Sequence, residues 1–374
     1  MLSIFAWSGI IVALALIVLA AVLKSRTRVM LTAISADTPI SSVHPKRKGP
    51  CCKFDPSEVK RTRNLRKPKI DISNLPPADP RVVKLMNALS ATDIEKALKE
   101  LSGEIAVTIN GTATKITSRN SYSKGLSSTV DYLKQFYAKL NKFTVTVDSY
   151  RKGGKTLYNV IAEIKGKKTP NKVFILGAHM DSTAGNTWTS ESVAPGADDD
   201  GTGTVALLQL ALALQTLDPG LTVRLCHFSG EEQGLWGSAV YSDKIANAKT
   251  QLVSTIQIDM IGYCAKPGNR VDIHDNNNQN GSHALVEQMV RNVARYKLNL
   301  NAVDTHNTAV EGRSDASSFL DHGYTAVLVS EEFSDDGFNP NYHSTGDRVK
   351  ALNIPYMVEV VKMVMATVVD IAQA

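Results

Sequence analysis

Hydrophobic residues are distributed along this chain in three distinct ways. From Ile4 to Leu23 they form an unbroken run of about 20 residues without a charge, followed by Lys24, Arg26 and Arg28. A run of that length can span a bilayer. No positive side chain precedes it and no clean A-x-A site closes it, so an uncleaved membrane anchor (residues 1–30) is the favoured expectation, and a secretory signal the second. The positive-inside rule would place the C-terminal side in the cytoplasm. Residues 31–78 then lose all periodicity, are dotted with proline (Pro45, Pro50, Pro68, Pro76, Pro77) and carry the basic clusters Lys46-Arg47-Lys48 and Lys60 to Lys69. This is the pattern of a solvated, disordered linker, with a propeptide or a contact to anionic lipid as alternatives.

From Asp79 onward the period alternates between helix and strand. Thr92 and Glu95 are spaced as a capping box for a helix beginning near Ala91, and a second helix is expected near Ser127 to Leu140. Phe143 to Ser149 and Asn159 to Ile164 alternate with period two, and Val173 to Leu176 is continuously apolar. Helices are expected over Val205 to Leu217, His283 to Tyr296, Asp315 to Leu320 and Tyr356 to Ile371, and strands over Leu221 to Phe228, Val253 to Ile258 and Ala326 to Val329. Apolar strands alternating with helices predict an α/β fold: a three-layer α/β/α sandwich whose central sheet is mixed, largely parallel and covered on both faces. One domain is expected over residues 79–374.

Charge sharpens this division. The chain has a formal net charge of +6 over 374 residues, but residues 1–69 carry +10 and the remainder −4. The folded part is mildly acidic, which argues against nucleic-acid binding. Four cysteines, two of them adjacent (Cys51, Cys52), form neither a disulfide framework nor a Cys/His zinc pattern. Cys226 and Cys264 are expected to be buried free thiols.

The candidate chemistry lies in five short motifs: GAHMDST at 177–183, PGADDDGTG at 195–203, SGEEQGLWGS at 229–238, QIDMIGY at 257–263 and NYHSTGD at 341–347. They contain His179, Asp199, Glu232, Asp259 and His343. Two imidazoles and three carboxylates are a natural ligand set for a pair of zinc ions. Four of these residues follow a predicted strand or end one, and Asp199 lies in the loop between a strand and the next helix, which places them on the edge of the sheet where open α/β folds assemble their sites. Asp198-Asp199-Asp200 precedes an apolar helix, and three adjacent carboxylates repel one another unless a cation or a cap engages them. Gly230, Gly234 and Gly237 around Glu231-Glu232 permit tight turns.

The order and spacing of these motifs resemble the dinuclear zinc aminopeptidases, above all the bacterial leucyl aminopeptidases, from about Asp79 to the C-terminus. The resemblance implies a zinc exopeptidase fold and two Zn2+ ions. One ion would take His179, Asp199 and Asp259 and the other Asp199, Glu232 and His343, with Asp199 as the bridge and the peptide after it cis. It implies Glu231 as general base, Asp181 as the carboxylate that orients His179, and Met260 and Phe333 in the pocket for the first side chain. Peptides with a free N-terminus would be the substrates, apolar N-terminal residues preferred. A basic residue drawn by Glu331, Glu332, Asp335 and Asp336 is the alternative to that preference. It also implies a monomeric catalytic domain in the secretory pathway, membrane-anchored or secreted, although the charges after Leu23 argue for the opposite orientation.

The match breaks at 309–313, where such enzymes carry two bonded cysteines and an oxyanion-stabilising tyrosine. Here the segment reads Ala309-Val310-Glu311-Gly312-Arg313, with Glu311 in the place of the tyrosine, so that donor must come from zinc, Arg313 or Tyr342. Two other readings stay open: a glutaminyl cyclase-like acyltransferase with a single zinc, and a receptor-like ectodomain without catalysis.

Overall fold

Side chains along one central strand show how the molecule is layered. In β5 (Thr169–His179), Phe174 and Leu176 enter one apolar cluster while Val173 and Ile175 enter another, as the pleat requires. The structure, a computed structural model, describes residues 69–276, 278–305, 310, 312–334 and 336–373. The expected anchor over 4–23, Cys51, Cys52 and Glu311 lie outside the described residues. Among the described residues, no helix is long and apolar enough to cross a membrane.

In chain order the elements are α1 (Pro80–Asn87), α2 (Ala91–Leu101), β1 (Val107–Ile109), β2 (Thr112–Thr114), α3 (Gly125–Tyr137), β3 (Phe143–Lys152), β4 (Lys155–Ile164), β5, α4 (Gly201–Leu214), β6 (Leu221–Phe228), α5 (Trp236–Asn247), β7 (Gln251–Ile258), β8 (Arg270–His274), α6 (His283–Arg295), β9 (Asn301–Thr305), α7 (Ala316–Leu320), β10 (Ala326–Ser330) and α8 (Ile354–Gln373). Apart from the β1–β2 hairpin, the strands form one eight-stranded sheet in the order β3-β4-β6-β5-β7-β10-β8-β9. The four central strands β6, β5, β7 and β10 run parallel. β4 pairs antiparallel to both β3 and β6, and β8 runs antiparallel to β10 but parallel to β9. The larger cluster joins one face of this sheet to α1, α2, α3, α4, α6 and α8; the smaller joins the other face to α5 and α7. This is the expected three-layer mixed α/β/α sandwich. α4 is buried almost all round, so it shows no apolar stripe.

Local differences from the expected elements have local causes. The cap of α2 is Ser90, whose hydroxyl accepts from the Asp93 N–H at 3.1 Å, and Thr92 lies inside the helix. α4 starts at Gly201 rather than Val205 because the Asp200 carboxylate accepts from the Gly203 N–H at 2.7 Å and caps it. β8 and β9 are strands of only five residues, too short to signal themselves, and β9 also has polar residues on both faces. α5 begins in the glycine-rich motif, after Leu235 at φ 61°. Cys226 is buried, whereas Cys264 is only partly so. Ahead of the expected domain start at Asp79, Ile70 packs on the larger cluster, Arg291 donates to the Asn74 carbonyl at 2.9 Å and Arg295 to that of Pro77 at 3.0 Å.

One buried cation ties the site's framework together. Arg119 is fully buried and its guanidinium donates to the carbonyls of Leu101 (3.0 Å), Met180 (2.9 Å), Pro195 (2.6 Å) and Gly196 (2.7 Å). It thereby joins the end of α2, the exit of β5 and the loop before α4. Arg119→Met keeps the stem but leaves those carbonyls without their donor. The expected cost is at least about 3 kcal/mol, read as a lower urea midpoint of the full chain at unchanged slope.

Candidate metal centre

The five predicted ligands meet at the carboxyl ends of the central strands. His179 is the last residue of β5, Asp259 follows the end of β7, Glu232 lies just beyond β6, and His343 arrives on the loop after β10. Asp199 sits between the two imidazoles: its Oδ1 is 3.0 Å from His179 Nε2 and its Oδ2 3.1 Å from His343 Nε2. Asp259 Oδ1 approaches His179 Nε2 at 3.5 Å, and Glu232 Oε2 approaches His343 Nε2 at 2.9 Å. The cluster therefore divides into two His–carboxylate–carboxylate sets that share Asp199.

The triple aspartate is resolved by what its neighbours already hold. The Asp198 carboxylate accepts from Gly262 N–H (2.9 Å) and the Asn339 amide (2.7 Å). Asp200 accepts from the N–H groups of His179 (3.1 Å), Gly203 (2.7 Å) and Met260 (3.3 Å). Only Asp199 turns both oxygens to imidazoles. The Asp199–Asp200 peptide is cis, as the resemblance implies, and Met260 (φ 53°) and His343 (φ 49°) adopt the left-handed backbone region that non-glycine residues rarely enter.

Donor chemistry and geometry fit a divalent cation. Glu232 Oε1 is buried without a hydrogen-bond partner, and Glu232 Oε2 and Asp259 Oδ1 face the imidazoles without hydrogen-bond geometry. Buried polar atoms are normally satisfied, so oxygens aimed at a common point mark a place for a cation. The electrostatics agree. Burial pushes Glu232 up to about 7 against the pull of His343. Burial acts to raise Asp199 as well, but its contacts with His179 and His343 outweigh it and hold that carboxyl low. For His343, burial is overcome by Glu232 and Asp199, and the ring rises to about 10. Such a field favours positive charge between these groups.

Glu231 stands apart from the ion pairs. It is buried, lines the cleft and has its proton affinity raised well above the ordinary carboxylate range, first by burial and then by Asp259, Asp315 and Glu232, against the pull of His179. Asp181 departs from expectation. The acceptor nearest His179 Nδ1 is its backbone carbonyl at 3.2 Å, while its carboxylate lies 3.6 Å away. That carboxylate accepts from Ser121 Oγ (3.0 Å) and the Glu231 N–H (3.2 Å), because the chain turns immediately after β5 and swings the carbonyl under the ring. Asp181 thus positions Glu231 as well as His179.

The cleft is lined by the polar groups His179, Asp199, Glu231, Asp259 and His343, by the apolar and aromatic side chains of Met260, Val310, Leu328, Phe333, Phe338 and Tyr342, and by Arg313 and Ser314. Met260 and Phe333 thus lie beside the ligand cluster. Glu331 and Glu332 are not among the lining residues. Glu331 is fully buried, accepting from Tyr263 and Asn339 N–H groups, and Glu332 pairs with Arg270 at 3.2 Å. Arg313 and Tyr342 both reach the cleft, and the Tyr342 ring stacks on His343 with centroids 3.7 Å apart.

Asp347 had no assigned role in the sequence, although it closes the motif that carries His343. Its buried carboxylate accepts from the N–H groups of Asp198 (3.0 Å) and Asp199 (3.1 Å), fixing the loop from 148 residues away. The signal was a conspicuous aspartate four residues past a ligand; its partners became visible only with the fold. Asp347→Ala is expected to weaken metal affinity about 10–100-fold, measured by competition with a chromogenic chelator.

The model of peptidase family M28 matches residues 159–368, which include all five ligands. Over 198 residues the chain is 30% identical to a probable zinc metalloprotease of Pyrenophora tritici-repentis, covering 50% of this chain and 40% of that protein. Over 233 residues it is 30% identical to leucine aminopeptidase 1 of Aspergillus oryzae, covering 58% and 56%. The chain spans about half the length of these two relatives. Among solved structures, the LapA aminopeptidase of Legionella pneumophila superposes with a TM-score of 0.66 at 18% identity, covering 85% of this chain and 79% of that one, a likeness of fold. With a match over more than half its length that takes in the whole ligand cluster, this chain belongs to peptidase family M28.

Proposed function

We propose that this protein is a zinc-dependent aminopeptidase that removes the N-terminal residue from peptides, with two zinc ions held by the sets His179–Asp199–Asp259 and His343–Asp199–Glu232. The observation that carries the proposal is Asp199 itself, one oxygen turned to each imidazole. Zinc at this place supplies Lewis acidity: it lowers the pKa of a water and polarises the scissile carbonyl.

The protein's own groups do the rest. Glu231 accepts a proton from the attacking water and returns it to the leaving amine, a task suited to a buried carboxylate of raised proton affinity. Asp181 holds the Glu231 backbone in place. Tyr342 and Arg313, which border the cleft, are positioned to donate to the oxygen that gains charge. The apolar wall of Met260, Val310, Leu328, Phe333 and Phe338 suits an apolar first side chain, and the carboxylates lining the same cleft suit a free α-amine. The burial of Glu331 and the pairing of Glu332 with Arg270 support an apolar over a basic first residue. The names of the leucine aminopeptidase and zinc metalloprotease relatives support the same reading.

Glu231→Gln is expected to keep its zinc and lose about 10²–10⁴-fold in kcat; loss of zinc in that variant would reverse the roles of Glu231 and Glu232. Metal analysis of the purified chain should give two zinc ions, and a chelator should abolish hydrolysis of leucine amide until zinc is restored. One ion with cyclisation of N-terminal glutamine would favour the cyclase reading, and none the receptor-like one. N-acetylated peptides should be very poor substrates. Equal cleavage of free and acetylated peptides would overturn the aminopeptidase assignment.

A further inference from the structure

A third set of one imidazole and two carboxylates lies on the opposite flank of the sheet from β3. Asp275 follows the end of β8, Asp304 is in β9, the edge strand beside it, and His283 opens α6. Their ligand atoms lie within 4.8 Å of one another. None of the three lines the cleft. We propose that Asp275, His283 and Asp304 form a second, separate metal site that takes a zinc-class divalent cation.

The donor set repeats that of the catalytic cluster, and so does its spacing. His283 Nδ1 lies 3.4 Å from Asp275 Oδ2 and 3.1 Å from Asp304 Oδ2. The corresponding distances are 3.5 and 3.0 Å around His179, and 2.9 and 3.1 Å around His343. An ion with bonds of about 2.1 Å spans ligand pairs roughly 3.0 Å apart at right angles and roughly 3.4 Å at tetrahedral angles. Both carboxylate oxygens approach the same ring nitrogen. A cation at the shared focus would engage all three atoms. One nitrogen and two oxygens suit zinc and its neighbours better than calcium or magnesium.

The frame is built rather than incidental. The Ser282 hydroxyl donates to the Asp275 carbonyl, which fixes the start of α6 to the end of β8. The His283 N–H donates to Asn278 Oδ1 at 3.1 Å. Asp304 sits opposite Ile273 in the parallel β8–β9 register, so the two carboxylates are delivered by paired strands. Glu287, one helical turn on, lies 3.8 Å from His283 Nε2 and adds a further negative charge beside the ring. Asp275 is almost fully buried, and the His283 side chain is 21% exposed, enough for an ion to enter.

The test compares zinc content, by mass spectrometry, of the full chain and of His283→Ala and Asp304→Asn, each stripped with chelator and dialysed against the same Zn2+ buffer. Each variant is expected to hold one zinc fewer than the unaltered chain while hydrolysing leucine amide at its rate. Because the reading is a difference, it holds whether the cleft binds two ions, one or none. Equal zinc in all three proteins overturns the site and leaves the catalytic pair standing. If the substitutions disturb folding, ¹⁵N spectra of the unaltered chain decide instead. Added Zn2+ should move the His283 Nδ1 resonance to its metal-bound position, and a resonance that only titrates with pH shows an ordinary imidazolium ion pair.

Discussion

The buried negative charge gathered where the central strands end is the constraint that the rest of the structure answers. Asp181, Asp198, Asp199, Asp200, Glu231, Glu232, Asp259, Asp315 and Asp347 are all buried in this region. Uncompensated, such charges would be too costly for a folded chain to hold. The protein compensates them in two ways. Asp198, Asp200 and Asp347 are taken up by backbone N–H groups and by Asn339, so they become part of the loop's framework. Asp199, Glu232 and Asp259 instead face imidazole nitrogens, an arrangement whose donors suit zinc.

The fold supplies the rigidity this needs. Adjacent parallel strands β5 and β7 deliver His179 and Asp259 directly, and the turn that leaves β6 delivers Glu232. Arg119 then binds the loop that carries Asp199 to the exit of β5, and Asp347 binds the same loop to the segment that carries His343. Ligands distant in sequence are thus held by a short chain of buried charge-assisted hydrogen bonds, which are stronger than neutral ones. The left-handed backbone at Met260 and His343 shows that local conformational preference gives way to this network.

The segment at 309–313 departs from the resemblance in sequence, with Glu311 where a tyrosine was expected. Two donor-bearing side chains nonetheless line the cleft: Arg313, on that segment, and Tyr342, stacked on His343. Both reach it from segments outside the sheet.

Much of this was legible in the chain alone. Leu221–Phe228 is a strand with the bounds its apolar run predicts, and the helix from His283 ends within one residue of expectation. The layer order followed from alternating periods, and each of the five ligands announced itself by an unusual motif. What sequence could not decide was which polar groups meet. By residue type alone Asp198, Asp199 and Asp200 are indistinguishable; the resemblance picks Asp199 as the bridge, and the donors around the other two give the physical reason they serve as framework and cap. Glu331 reads as a solvated acid and is buried; Asp181 offers its carbonyl to His179 and its carboxylate to Glu231. Asp275, His283 and Asp304 carry no shared motif, because the pairing of two weakly patterned strands brings them together. Hydrophobic periodicity is written within a few consecutive residues, whereas the satisfaction of a buried charge depends on partners more than a hundred positions away. The sequence therefore determined the elements, their layering and the kind of chemistry, and the tertiary structure decided which carboxylates are free to bind a cation.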